Sequence, residues 1–245
     1  MTQDNAPYAI EFKSIIKTYA ENMVLDHVSY SVEAGEFVGL VGVNGAGKTT
    51  MIKSLLDLTN IDSGEIQLFG VDHCRTEARS RLAYLPERFN PPTYLKGDDF
   101  IKYMLELHCI EYDKSKIESI LSQLDFDVEK LSKYVRSYSK GMVQKLGLAA
   151  AFLSTKPLLI FDEPMSGLDP KARMHLKDYF ASLKNNNFTL FISTHLLADA
   201  ALICDRLIIL HNMKIIFQGT PKLLLERYSS NDYDEAFVNC ISTKK

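Results

Sequence analysis

The chain has 245 residues, of which 46% are hydrophobic and 24% are charged, and its formal net charge is -3. This composition is ordinary for a soluble globular protein, and a chain of this length can bury a substantial core. The weakly acidic balance gives no electrostatic reason to expect nucleic acid or an anionic membrane surface as a ligand. We therefore expect no nucleic acid among the partners.

The four cysteines (Cys74, Cys109, Cys204 and Cys240) lie far apart without any CxxC pair. This spacing argues against a zinc site and against a secreted disulfide framework, and it favours reduced thiols. The first ten residues carry no basic-then-apolar signal pattern, and no apolar stretch approaches the roughly 18 residues of a membrane helix. The sequence predicts a cytoplasmic protein whose membrane association comes through a partner.

The first part of the chain is predicted to be mostly strand. Three short strands are expected at 8–16, 24–32 and 36–41, and further strands at 66–69 and within 81–86. A glycine-rich loop separates the first three from the next two, and it leads into a helix expected over 48–58.

The pattern becomes helical over 97–153, where Ile117, Ile120, Leu121 and Leu124 mark one buried face. We interpret about 97–155 as a helical subdomain inserted into an α/β core of 8–96 and 156–219. The core resumes with a strand at 158–162, a helix from 170, a strand at 188–193 and a short helix after His195. Strands at 205–210 and 214–218 join through a tight turn at Asn212, and the tail at 220–245 contains two weakly helical pieces.

Residues 42–49 fit the pattern GxxxxGK[ST], after an apolar strand and at the start of a helix, as the motif requires. Glycines allow successive N–H groups to form an anion-binding nest, and the helix N-terminus adds its positive dipole end. Lys48 would reach the β- and γ-phosphates, and the Thr49 hydroxyl would ligate Mg²⁺. The motif predicts a phosphate-binding loop for a nucleotide.

A second apolar strand ends in Asp162-Glu163-Pro164. Open α/β sheets bind ligands at the carboxyl ends of their strands. Asp162 is then placed to hold Mg²⁺, and Glu163 to polarise the attacking water as general base. His195 follows another strand, where a γ-phosphate contact and a purely structural role are both open. Ser139 is a natural helix N-cap that would face an anion, although an ordinary cap explains this segment in isolation.

Together these segments resemble the ABC ATPase family in content and order, over about 8–219. The sequence GVNGAGKTT (42–50) is similar to its Walker A motif, YSKGM (138–142) to its signature, LLIFDEP (158–164) to its Walker B motif, SGLDP (166–170) to its D-loop and STH (193–195) to its switch histidine. Tyr19 sits where the family stacks an aromatic ring on adenine, and Glu87 occupies the Q-loop position.

The resemblance implies an α/β fold: a P-loop NTPase core with an N-terminal antiparallel β-subdomain and an inserted α-helical subdomain. It implies ATP and Mg²⁺ as cofactors and catalysis by Glu163 and His195. ATP-binding residues would be Tyr19, Asn44, Gly45, Ala46, Gly47, Lys48, Thr49, Thr50, Ser139 and Gly141. Metal ligands would be Thr49, Glu87 and Asp162.

Two positions depart from the family pattern. Glu87 replaces a glutamine, and Lys140 and Met142 stand where the common signature reads LSGGQ. Both variants, and the tail segment DEAF (234–237), resemble the branch that serves ABC-2-type exporters. Gly141 is kept, so close backbone approach to phosphate stays possible.

The family pattern implies partners. Two nucleotide-binding subunits would pack head to tail, with a homodimer expected, so that Ser139 and Gly141 complete the partner's ATP site. A separate polytopic membrane subunit would hold the protein at the cytoplasmic face of the membrane. An apolar stretch, Phe89, Pro91, Pro92, Tyr94 and Leu95, is a candidate docking surface, or packing between core and subdomain.

The leading interpretation is the ATP-hydrolysing subunit of an exporter. Two alternatives stay open: an ABC ATPase working on ribosomes or DNA, and a regulatory subunit that binds ATP but barely hydrolyses it. A single nucleotide domain and net acidity disfavour the first. The presence of Glu163 and His195 disfavours the regulatory subunit, whereas Glu87 and the altered signature leave that alternative open.

Overall fold

The computed structural model describes residues 7–184 and 188–242. Predictions about the first six residues and the last three of the tail lie outside the described residues. The strands are β1 (Tyr8–Tyr19), β2 (Asn22–Glu33), β3 (Phe37–Val41), β4 (Ser63–Leu68), β5 (Val71–Asp72), β6 (Leu82–Leu85), β7 (Leu158–Asp162), β8 (Thr189–Thr194), β9 (Arg206–His211) and β10 (Lys214–Gly219).

The helices are α1 (Lys48–Leu55), α2 (Thr76–Arg79), α3 (Gly97–Leu107), α4 (Lys114–Gln123), α5 (Lys140–Leu153), α6 (Pro170–Leu183), α7 (Leu197–Ile203), α8 (Pro221–Arg227) and α9 (Tyr233–Ser242). Two 3₁₀ turns, Val128–Ser132 and Val135–Ser137, lie between α4 and α5. Among the described residues, no helix is long and apolar enough to cross a membrane.

Four strands form an antiparallel sheet in the order β2-β1-β4-β5. The predicted short strands at its start were wrong in length, since β1 and β2 each have twelve residues. Most of the extra residues are polar, and hydrogen bonds hold them in the sheet. Lys17 is buried and pairs with Asp62, whose carboxylate also accepts from the backbone N–H of Thr18. Register shifts near Ser14 break the alternation on which a strand prediction depends.

The second sheet has the order β10-β9-β3-β8-β7-β6, and only the β9–β10 hairpin is antiparallel within it. Its central strands are buried on both faces, and alternate residues enter two different cores. In β3, Val38 and Leu40 pack toward the antiparallel sheet, whereas Phe37 and Val41 pack toward the helices. Asn212 (φ 46°) and Met213 (φ 68°) form the predicted tight turn of the hairpin.

Helix α1 ends three residues earlier than the predicted 58. Asp57 adopts a left-handed backbone (φ 57°), and the N–H of Leu58 donates to the carbonyl of Lys53 at 2.9 Å. This is the pattern of a Schellman cap, which stops a helix even where the apolar spacing continues. The side chain of Leu58 is consequently exposed.

The helices α3, α4 and α5 occupy the block predicted to be helical. Ile117, Ile120, Leu121 and Leu124 are all buried, as their spacing predicted. Side chains cap two of these helices: Asp113 accepts from the N–H groups of α4, and Ser139 accepts from Met142 N at the start of α5. The tail forms α8 and α9, and α9 packs against α7 and β10.

Candidate active site

The loop between β3 and α1 lies at the carboxyl edge of the second sheet. Gly47 has φ 106°, which a residue with a side chain rarely adopts, and it starts α1. A Cβ on Gly42 would lie 2.6 Å from the carbonyl oxygen of Leu210, so β9 leaves room only for glycine there. These two glycines set the path of the loop, and its N–H groups lead into the first turn of the helix.

Lys48 is buried although it is charged. Its Nζ donates to the carbonyl oxygens of Gly42 at 2.7 Å and Val43 at 3.4 Å, and lies 3.6 Å from Oε1 of Glu163. The ammonium group is therefore held at the loop by backbone dipoles and one carboxylate. A buried charge needs such partners. An anion bound by the loop would contact the Lys48 ammonium group directly.

Thr49 and Asp162 bring oxygen atoms together from two elements. Thr49 Oγ1 donates to Asp162 Oδ2 at 2.9 Å, and Ser193 Oγ donates to Asp162 Oδ1. The register pairs Asp162 with Ser193 on the neighbouring strand β8, which explains why the second carboxylate oxygen is already satisfied. Hydroxyl and carboxylate oxygens are the ligands that Mg²⁺ prefers.

Glu163 lies one residue beyond β7 and is buried, with φ 50°. His195, which follows β8, places Nδ1 at 3.0 and 2.9 Å from the two carboxylate oxygens of Glu163. The His195 side chain is 47% exposed whereas that of Glu163 is 10% exposed, so the imidazole covers the carboxylate from the solvent side. A carboxylate oriented by a histidine suits general-base chemistry.

Glu87 follows β6 and is exposed at the rim of the same edge. Tyr84 of β6 lies below it, and burial together with the nearby charge of Asp162 raises the pKa of Tyr84 to about 12. The phenol therefore stays neutral and adds no negative charge beside Asp162 at physiological pH.

Tyr19 ends β1 and lines the same cleft. Its hydroxyl lies 3.2 Å from Thr59 Oγ1, and the Lys17 ammonium lies 4.9 Å from the ring centroid. Lys17 is in turn paired with Asp62 at 3.4 Å. The ring is therefore fixed by a hydroxyl contact and a cation–π contact, which are suitable supports for a stacking surface.

A cleft of about 470 Å³ joins these groups. Its lining includes eleven residues expected from the sequence: Tyr19, Asn44, Gly45, Gly47, Lys48, Thr49, Thr50, Glu87, Asp162, Glu163 and His195. The structure places three expected residues elsewhere. Ala46 lines a neighbouring pocket with Met213, and Ser139 and Gly141 lie at the N-terminus of α5, outside the cleft lining.

Three residues that matter here were not predicted as site residues. Val24 and Ser166 line the cleft, and Ser193 holds Asp162. Ser166 and Ser193 lie within segments recognised in the sequence, so their motifs were the available signal. No pattern in the sequence marks Val24, which reaches the cleft only because β2 pairs with β1 next to Tyr19.

The signature segment contacts the D-loop of its own chain. Lys140 Nζ lies 3.5 Å from Ser166 Oγ, and a Cβ on Gly167 would meet the Lys140 side chain at 2.9 Å. Lys140 therefore lies along the D-loop and remains exposed. Ser139 caps α5 with its hydroxyl facing the Met142 N–H.

The apolar stretch before α3 was considered either as a docking surface or as packing between core and subdomain, and its residues differ in this respect. Phe89 packs edge-on against Phe100 with ring centroids 5.8 Å apart, and Leu95 packs on the core. Pro91 is buried as well, whereas Tyr94 is 74% exposed. Most of this stretch therefore packs at the junction between core and subdomain. Of the four residues Phe89, Pro91, Tyr94 and Leu95, only Tyr94 has a largely exposed side chain.

A second polar cluster lies away from the cleft. Ligand-type atoms of Asp57, His73 and Cys74 lie within 4.8 Å of one another. Arg79 Nη1 already donates to Asp57 Oδ2 at 3.0 Å and to the His73 carbonyl. The positive charge at this cluster is therefore the guanidinium of Arg79, and we assign no metal to it.

Chemically, the cleft defines a P-loop ATPase: a nest with a buried lysine, an oxygen pair for a divalent cation, and a histidine-covered carboxylate. Residues 25–166, more than half of the chain, match the family model described as "ABC transporter". The chain belongs to this family and is an ABC ATPase, so the expected family, P-loop fold and ATPase class are confirmed.

Similar proteins cover most of the chain. It is 36% identical over 230 residues to the ABC-type transporter ATP-binding protein EcsA of Bacillus subtilis, covering 91% of this chain and 92% of EcsA. It is 32% identical over 231 residues to the Nod factor export ATP-binding protein I of Burkholderia orbicola, covering 93% and 76%. It is also 36% identical over 200 residues to an ABC transporter ATP-binding protein of Synechocystis. That match covers 80% of this chain but only 56% of the length of the Synechocystis protein.

Solved structures agree in fold. An ATP-binding subunit of an ABC transporter superposes with a TM-score of 0.84 at 30% identity, covering 95% of this chain and 99% of the other. The ATP-binding cassette MJ0796, in a dimeric post-hydrolysis state, gives a TM-score of 0.77 at 19% identity, covering 86% and 98%. The second likeness supports the fold alone.

Proposed function

We propose that this ABC ATPase powers an exporter whose membrane-spanning part is a separate polytopic polypeptide, with the ATPase bound at the cytoplasmic face. The observation that carries the proposal is the complete set of hydrolytic groups in one cleft. Lys48, Asp162 and Glu163 lie together with His195, and Glu163 is oriented by His195 at 2.9 Å. Such a cleft is built to turn nucleotide over and not only to hold it.

Each group has a role in this proposal. The loop N–H groups and Lys48 bind the phosphates, and the Tyr19 ring stacks on adenine. Thr49 and Asp162 would hold Mg²⁺, and Glu87 at the rim would supply a further oxygen ligand. Mg²⁺ would neutralise charge that develops on the phosphates. Glu163 accepts the proton of the attacking water, and His195 orients its carboxylate.

The position of the signature residues supports a second nucleotide-binding subunit as part of this proposal. Ser139 and Gly141 lie outside its lining, at a helix N-terminus that suits an anion. In a head-to-tail homodimer these residues would close the partner's ATP site. ATP would then hold the two subunits together, and hydrolysis would remove the contacts that favour the closed dimer.

Export is favoured over the other roles by the relatives. Nod factor export ATP-binding protein I names an exporter component, and its match covers 93% of this chain. The alternative of a ribosome- or DNA-associated ATPase gains no support from these relatives. A weakly hydrolysing regulatory subunit is disfavoured by the intact Glu163–His195 pair.

The test is affinity purification of tagged Glu163→Gln protein from its native cells, in mild detergent with Mg-ATP, followed by mass spectrometry. We expect a polytopic membrane protein in stoichiometric amount. Glu65→Gln, the same change at an exposed position of β4, is the matched control and should recover less of it, because this variant still hydrolyses ATP. Recovery with ribosomal or DNA-repair proteins only, or alone, would refute the transport role.

A further inference from the structure

The turn that carries Glu163 has an unfavourable backbone. Glu163 is not glycine, yet its φ is 50°, in the left-handed region where a side chain clashes with its own carbonyl. The residue is buried, so water cannot help to hold this conformation. The surrounding protein must therefore fix the turn through specific contacts.

Four hydrogen bonds hold the turn. Glu163 N donates to the Ser193 carbonyl at 3.0 Å and to Ser193 Oγ at 3.3 Å, and Ser166 N donates to the Glu163 carbonyl at 3.0 Å. The fourth has a side-chain donor from another helix, because Gln144 Nε2 donates to the Pro164 carbonyl at 3.1 Å. Proline has no N–H, so this carbonyl is the only backbone hydrogen-bonding group of Pro164.

Gln144 belongs to the signature helix. It lies in α5, five residues after the cap Ser139, and is only 4% exposed. Its amide therefore links α5 rigidly to the residue that follows Glu163. A displacement of α5 along or across its axis would be transmitted to the Pro164 carbonyl, and through one peptide unit to Glu163.

We propose that Gln144 is a positioning residue, which sets the orientation of Glu163 from the signature helix. It does not touch the reacting atoms. The proposal rests on the proposed function, because it assumes that Glu163 is the general base. In a head-to-tail dimer the N-terminus of α5 would serve one ATP and Glu163 the other, so Gln144 would join the two sites within each subunit.

The first variant is Gln144→Met, which keeps the volume but removes the donor. We expect kcat for ATP to fall roughly tenfold, since a displacement of about 1 Å in a catalytic group costs up to about 100-fold. KM and the ATP dissociation constant should stay within twofold, and the Hill coefficient for ATP should fall toward one. Gln123→Met, the same change at an exposed position of α4, should match the wild type.

The second variant, Gln144→Glu, gives a pH-dependent signature. A carboxylate at this buried position faces a carbonyl oxygen and cannot donate, whereas the protonated acid can. Burial raises the pKa of such a carboxyl, so kcat relative to the wild type should rise as the pH falls from 8 to 6. Gln144→Met has no titrating group and its relative kcat should stay flat over that range.

The outcomes separate this proposal from the proposed function. If wild type and Glu163→Gln hydrolyse ATP equally, the proposed function fails first. If Glu163→Gln is inactive but Gln144→Met turns over like the wild type, the positioning role alone is overturned. It is also overturned if both Gln144 variants lose ATP affinity or unfold at assay temperature, since Gln144 would then be structural.

Discussion

At the scale of single residues, the Glu163 carboxylate has two cationic or hydrogen-bonding neighbours that compete for it. Lys48 Nζ lies at 3.6 Å and His195 Nδ1 at 2.9 Å. A phosphate in the loop would offer Lys48 a stronger, charge-assisted partner. Binding of ATP is then expected to draw Lys48 away and leave Glu163 free to accept a proton from water.

Glu163→Gln should abolish turnover while keeping nucleotide affinity. Glutamine preserves the shape and the His195 contact but cannot accept the proton, so we expect kcat to fall about 100-fold or more. This change removes a negative charge beside Lys48. The ATP dissociation constant should therefore stay unchanged or decrease. Steady-state phosphate release and mant-ATP titration measure both quantities. Hydrolysis at the wild-type rate would remove Glu163 from the role of general base.

At the scale of elements, an ion-pair cluster ties the helical block to the core. Asp125, which follows α4, accepts from Lys171 of α6 at 2.8 Å and from Lys145 of α5 at 3.3 Å. The Lys145 ammonium also donates to the Asp125 carbonyl at 2.6 Å. The hydrogen bond from Lys171, with that from Lys145, lowers the pKa of Asp125 below its usual range. Three helices therefore meet at one carboxylate.

Asp125→Asn should lower the free energy of unfolding at neutral pH by at most about 1 kcal/mol, because the cluster is partly exposed. The pKa of Asp125 is lowered in the folded state, so its contribution is present above about pH 4 and is lost as the pH falls through the folded pKa. The difference between variant and wild type should thus disappear toward pH 2. Urea titrations at several pH values measure this. Asp178→Asn, an exposed position of α6, is the control, and an equal loss in both variants would contradict the cluster.

Features that depend on local sequence patterns were predicted correctly, whereas features that depend on contacts between distant residues were missed. Local patterns were sufficient for the phosphate loop, for the strand ending at Asp162 and for the buried face of α4. The length of β1 was missed because Lys17 becomes buried only by pairing with Asp62, 45 positions away. The Asp125–Lys171 pair, 46 positions apart, was missed for the same reason. Gln144 looks like any polar helical residue until the fold places it beside Pro164.

At the scale of the whole molecule, the proposed head-to-tail dimer should depend on unhydrolysed ATP. Glu163→Gln protein is expected to elute as a dimer with Mg-ATP and as a monomer with ADP, because in the proposed arrangement the γ-phosphate would be contacted by both subunits. Adding Lys48→Ala should restore the monomer by weakening nucleotide binding. Size-exclusion chromatography with light scattering measures the mass. A monomer with ATP demonstrably bound would contradict the arrangement.

The left-handed backbone at Glu163 also bears on the stability of the protein. A non-glycine residue in that conformation costs of order 1–3 kcal/mol, and glycine at the same place would relieve it. Glycine would also remove the carboxylate that lies 3.6 Å from the buried ammonium of Lys48, and a buried charge without its partner is costly in turn. Backbone strain and ion pairing therefore act in opposite directions on thermal endurance at the position where the proposed chemistry needs an acid.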